Sequence, residues 1–529
     1  MTIDQFGRKL WDRFSPAQKA ASFACLITGY LVHLYAFTNN IPNSDGLSRV
    51  FDPQQMTVSG RWFLHYASAL NNFTQMPAVI GLLSLVMLAV AAVLVVDLLR
   101  VRGVVLGGLT GAVMAAFPCL GYTFLYMFTA SAYCLAILLA VLSVWLAKGS
   151  KVGWLAGVVA LALAMGTYQA YVTVAIALSL LVVFRETFDP EATFRNTLTL
   201  GLRLVAYLAT GAVLYYGILL VFLNVKDLEL LSYLGMDAAS SGYPFSQLPR
   251  LLLDCYKQVV AFFFVPNWHG GFAGRWLVTF NGMAVLFGVM CFAWNLPLLR
   301  KELWRPLGAL AMLALLPLGM NFMCILSPYS DPTPLMKYSF VAVYLALFAL
   351  ADCTDRQCEK SRGGAPMSLV LWTTLLLLVF LNTNNLLYTA AGQAHRATES
   401  YATRLLARVE SCPGYEPGME IALIGAIPTD QIYSTVESYH LVDHYSVPLN
   451  TVAPLNKHLY YYLNDWLNVP VDEPSEETMI AISSSPEFAA MPLYPADGSV
   501  QVLDGRVVVR IQETYTPKSD FEIAYENRR

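Results

Sequence analysis

The chain has 529 residues, 57% hydrophobic and only 13% charged, with a mean hydropathy of +0.52 and a net charge of −3. Soluble domains carry charge at about a quarter of their positions, so this composition excludes an ordinary soluble protein. The slight acidity also argues against a nucleic-acid binder, which needs a basic surface.

The polar segment 1–18 is followed by a full-length apolar run without a small-residue cleavage site. It predicts a retained first helix rather than a cleaved signal peptide. A bilayer core takes about 20 apolar residues per helix. On that measure the predicted spans are 19–38, 77–98, 103–119, 122–147, 152–167, 168–184, 203–224, 276–298, 306–326, 336–352 and 367–388. The stretch 152–184 is divided at Gly166-Thr167-Tyr168-Gln169, a polar interruption suited to a tight turn. Lys and Arg near helix ends mark the cytoplasm. With the N-terminus inside, every predicted inner segment carries at least two cations, among them Arg8, Lys9, Arg100, Arg102, Lys148, Lys151, Arg185, Arg195, Arg300, Lys301, Arg305, Arg356 and Lys360.

The outer side then receives loops 39–76, 225–275 and 327–335. In the second of these, the stretch from Phe245 to Asp254 and then Phe262 to Val265 reads as short helices lying in the membrane interface. The tail 389–529 reads as a small external α/β domain. It is expected to hold helices at 393–411 and 456–467, a buried strand at 419–424, and a hairpin of 500–503 with 506–511 turning at Asp504-Gly505. The expected organisation is a transmembrane catalytic domain, 1–388, followed by this external domain, 389–529.

Nine cysteines show neither metal-ligand spacing nor a disulfide framework. Cys255 and Cys412 are the two expected outside that would be able to pair.

The first outer loop holds the residues best suited to chemistry. Asp45, in Asn43-Ser44-Asp45-Gly46, is the candidate general base for an acceptor hydroxyl. The same surroundings also suit a turn or a helix cap. Asp52 is a rival base or a hydrogen-bonding partner. Arg61, in Ser59-Gly60-Arg61-Trp62, suits bidentate phosphate binding, or anchorage to lipid headgroups. Arg49 offers the same in weaker form. Lys337 and Lys257 would neutralise the phosphate of a lipid carrier or anchor to lipid headgroups, Tyr168 and Gln169 would line a sugar pocket or form a buried polar turn, and His269 sits in a polar, glycine-rich turn that suits a structural role as well as a site. Asp331 reads as a helix cap. A departing phosphate needs no proton, so one carboxylate suffices where glycoside hydrolysis uses two. No acidic DxD-like motif occurs in a predicted inner loop, which points away from a nucleotide-sugar donor. No metal site and no cofactor are expected.

In three stretches the chain resembles bacterial glucosyltransferases of the Gtr type II family, associated with serotype-converting O-antigen glucosylation. They are Asn43-Ser44-Asp45-Gly46 with Ser59-Gly60-Arg61-Trp62, Gly166-Thr167-Tyr168-Gln169-Ala170, and the tail motif from Met491 to Pro495 and on through Asp504-Gly505-Arg506. The resemblance implies a GT-C-like polytopic helical fold with about 11 spans in the bacterial cytoplasmic membrane. It implies a polyprenyl-phosphate-glucose donor, with a donor synthase and a flippase as partners. The acceptor would be a cell-surface polysaccharide or a lipid-linked oligosaccharide, and Asp45 matches the family's acidic residue in the first external loop. A polysaccharide polymerase or ligase, a flippase or transporter, and a structural membrane subunit remain the alternatives. Against a transporter stand the near absence of intramembrane charge and of repeat symmetry.

Overall fold

The computed structural model describes residues 11–47, 57–69, 71, 74–230, 247–265, 271–326, 333–358, 367–428 and 451–517, with residues 2, 5 and 9 ahead of them. Within these it is a polytopic helical membrane protein. Eight helices are long and apolar enough to cross a bilayer: Pro16–Thr38, Pro77–Leu98, Met127–Lys148, Gln169–Glu186, Phe194–Val225, Arg275–Leu299, Pro334–Thr354 and Met367–Glu410. Val104–Ala116 and Cys119–Leu125, bent by 44°, make a ninth if they are one span. The predicted spans 152–167 and 306–326 fall on Lys151–Thr167 and Trp304–Met320, each of 17 residues. At 1.5 Å per residue these reach about 26 Å, short of a core of about 30 Å. Among the described residues eight or nine helices therefore qualify by length and composition, and these two are shorter apolar helices at the low end of the spanning range.

The chain divides into two compact units, one of residues 1–40, 54–388 and 444–446, the other of 41–53, 389–443 and 447–529. In the first unit, small residues let helices approach closely. Gly107 and Gly111, one turn apart, face the backbone carbonyls of Ala17 and Ala21 on Pro16–Thr38. A Cβ at Gly107 would lie 2.5 Å from the Ala17 oxygen, so this is small-xxx-small packing with no room for a side chain.

Pro118 explains the bend. It has no N–H for the Met114 carbonyl, and a helix end leaves further carbonyls orphaned. Three side chains from three other helices satisfy them. Tyr338 Oη donates to Met114 O at 2.9 Å, His33 Nε2 to Ala115 O at 2.8 Å, and Asn384 Nδ2 to Ala116 O at 3.0 Å. His33 Nδ1 then bonds Tyr388 Oη at 2.6 Å. This histidine of the first helix is thus fully used in structure.

Loops that the charge rule puts together do meet. Arg100 pairs with Glu186 at 2.7 Å and with Asp189. Arg305 donates to the carbonyls of Thr187, Asp189, Pro190 and Ala192. Asp352 Oδ1 accepts the N–H groups of Arg102 and Gly103, both at 2.9 Å. The two short helices expected in 225–275 are one amphipathic helix, Leu248–Phe264, because its apolar residues recur at helical spacing through to Phe262-Phe263.

The second unit holds a three-stranded sheet in the order β1 (Ile421–Ile424), β3 (Arg506–Arg510), β2 (Val500–Leu503). β1 runs parallel to β3, and β2 pairs antiparallel with β3. Asp504 and Gly505 both have positive φ, 48° and 74°, as a two-residue hairpin turn requires. The end of Met367–Glu410 packs Tyr401, Leu405 and Val409 into the same core. Two short helices, Glu476–Ser483 and Pro486–Ala490, have no counterpart in the sequence reading; their serine caps, Ser475 and Ser485, are the local signal for them.

Candidate active site

In the first unit the structure brings two of the quoted stretches together. Gly60, at φ 81°, closes a turn whose N–H bonds Thr57 O at 2.9 Å. That left-handed conformation suits glycine, and Arg61 and Trp62 follow it directly. On the other side, Lys151–Thr167 stops at Tyr168, which is extended at φ −157°, ψ 111°, before the 3₁₀ turn Gln169–Tyr171.

The two segments interlock at several points. Gln169 Nε2 donates to Ser59 O at 2.7 Å and to Tyr215 Oη at 3.1 Å, and Tyr215 Oη donates to Gly60 O at 3.0 Å. Phe63 N bonds Gly166 O at 2.7 Å. Trp62 lies against Gly166, where a Cβ would come within 2.6 Å of its ring, and stacks on Tyr215 and Phe222. Arg61 sits over the ring of Tyr168, 5.0 Å from its centroid, and Tyr168 stacks in turn on Tyr133 at 4.7 Å. Tyr171 meets Tyr168 edge-on at 5.3 Å. A cation–π contact holds the guanidinium on a rigid surface, which limits the orientations open to its planar fork.

Lys337 lies in the 3₁₀ helix Pro334–Val341, at a non-helical kink, and is 1% exposed. This helix packs on Gln169–Tyr171 and on Cys119–Leu125. A lysine buried in a membrane unit is costly and points to a functional role. As a headgroup anchor it would instead be exposed.

Lys257 is on the exposed side of Leu248–Phe264, and its ion-pair partner, Asp254 at 3.5 Å, is on the same helix. Asp45 belongs to the second unit, in the helical turn Ser44–Leu47. Asn43 provides the capping bond there: its Oδ1 accepts the Asp45 N–H at 2.9 Å. The Asp45 side chain is exposed. Asp52, Arg49, His269 and Asp331 lie outside the described residues.

Sequence reasoning missed Tyr133, Tyr171 and Tyr215, because tyrosines in apolar runs read as interfacial belts. It also missed Lys226, whose Nζ is 3.4 Å from Thr57 Oγ1 at the edge of the same cluster.

Fold and cluster together define a polytopic membrane protein with cations and tyrosines gathered at one set of helix breaks. Residues 34–348 match the family described as Glucosyl transferase GtrII. That is more than half of the chain, and the chain belongs to this family, a family of membrane glycosyltransferases. The matched region contains Asp45, Arg61, Tyr168, Gln169 and Lys337 and stops short of the tail, so the tail motif lies outside it. No curated protein and no solved structure matches the chain.

Proposed function

We propose that this glucosyltransferase takes glucose, or a similar hexose, from a polyprenyl-phosphate donor and passes it to a cell-surface polysaccharide or lipid-linked oligosaccharide at the outer face of the bacterial cytoplasmic membrane. Arg61 and Lys337 receive the donor phosphate, while Tyr168 and Gln169 hold the Arg61 loop in place. Asp45 takes the proton of the acceptor hydroxyl as its oxygen attacks the anomeric carbon. The bond from that carbon to the phosphate oxygen breaks, and its electron pair leaves with the phosphate. A single displacement of this kind inverts the anomeric centre. The N-terminus is cytoplasmic and the tail external, in keeping with the cations of the inner segments.

The observation that carries this reading is the Arg61 guanidinium mounted on Tyr168 beside the helix that buries Lys337. Cations aimed at a leaving group give electrostatic help of the largest kind. The test uses protein in liposomes with radiolabelled polyprenyl-phosphate-glucose and surface polysaccharide released by mild acid. Arg61→Ala should lower kcat/KM by about 10²–10³-fold, with Arg61→Lys in between. Wild-type kinetics in both folded variants would remove Arg61 from the mechanism.

A further inference from the structure

The second unit presents an aromatic surface beside the turn that carries Asp45. Ser44–Leu47 packs on Asn456–Tyr461 and on Tyr462–Trp466. Leu47, 3% exposed, belongs to the same buried core as Leu459, Tyr460, Tyr462 and Leu463. Tyr462–Trp466 is a π-helical turn, a conformation that is rare and frequent at functional sites. The turn brings Tyr462 and Trp466 nearly parallel, 13° apart with centroids 6.4 Å apart. Tyr462 is fully buried, whereas Trp466 is only partly so. His395 meets Trp466 edge-on at 5.3 Å and Tyr462 at 6.1 Å. Its Nε2 is buried without a hydrogen-bond partner among the described residues.

The geometry points to an acceptor subsite here: a pyranose of the acceptor saccharide stacks on Trp466, backed by Tyr462, with one hydroxyl bonded to His395 Nε2. Each feature suits a sugar. The axial C–H bonds of a pyranose lie flat on an aromatic face, and a rigid, backed indole gives that face at little cost in freedom. A buried imidazole nitrogen is a hydrogen-bonding group waiting for a partner. Nearby Asp45 and Asp465, both exposed, disfavour a phosphate and favour neutral hydroxyls. A general base must also reach the hydroxyl it deprotonates, and this surface adjoins the turn that holds the base. The inference rests on the transfer reading only in taking Asp45 as that base.

The test is saturation-transfer NMR on the full-length protein in nanodiscs. The probes are oligosaccharides of hexose, deoxyhexose and N-acetylhexosamine units, followed by kinetics with the mild-acid polysaccharide. Ring C–H protons of at least one probe should receive saturation, and Trp466→Ala should abolish it while Trp466→Phe keeps it. In turnover, Trp466→Ala should raise the acceptor KM about tenfold, equal to about 1.4 kcal/mol, with the donor KM unchanged. A melting curve matching the wild type certifies each variant. No saturation of any probe, or equal saturation of wild type and Trp466→Ala, overturns the subsite. If the wild type binds a probe but moves no glucose from the lipid donor, the transfer reading falls and the subsite stands.

Discussion

Gly166 shows how a single atom governs the Arg61 region. Its missing Cβ leaves space for Trp62, and its carbonyl holds Phe63. Gly166→Ala should displace the indole and cost about 1–3 kcal/mol, the range for overpacking a tight contact, read as a lower melting temperature together with a higher donor KM. An unchanged donor KM would show that Trp62 does not position Arg61. Asp45, Arg61 and the pair Tyr168 and Gln169 were readable as candidates because polar residues beside helix breaks stand out in an apolar chain. Their grouping was not readable: nothing local says that Gln169 reaches Ser59, or that Arg61 lies on Tyr168. Lys337 shows the limit best. A lysine at the head of an apolar run has the same local sequence whether it anchors to headgroups or is buried at a kink.

At the scale of elements, the bend at Pro118 depends on donors from other helices. Tyr338→Phe leaves the Met114 carbonyl without its donor, and a buried orphan of this kind costs about 1–3 kcal/mol. Thermal unfolding in detergent should register the loss; no change would mean that another donor serves that carbonyl. The loop after Gln169–Glu186 adds a pH dependence. Burial raises the Asp189 carboxyl, but the Glu191 N–H and the Arg100 guanidinium outweigh it and hold the group below its ordinary value. The contribution is thus complete above the unfolded pKa of about 3.9 and fades as pH falls through the lower folded value. Asp189→Asn should flatten that acid limb of the melting curve, and an unaltered limb would contradict it. Helices and the Asp504-Gly505 hairpin were legible because periodicity and turn chemistry are local. The length of each helix was less so, since caps and tertiary partners decide where an apolar run ends. The π turn at Tyr462–Trp466 left no trace in the sequence, and 456–467 read as one regular helix.

For the whole molecule, the packing of Arg100, Arg305 and Asp352 shows that three of the cation-bearing segments share one end of the first unit. The assignment of residues 41–53 to the same unit as the tail was beyond the sequence, because it joins segments more than 300 residues apart. The most direct measurement of the central claim is glucose transfer by Asp45→Asn protein in liposomes, with donor binding measured alongside. The account predicts that donor binding is retained and that kcat falls by about 10²–10⁴-fold, the usual contribution of a general base. Full transfer by the folded Asn variant would contradict it.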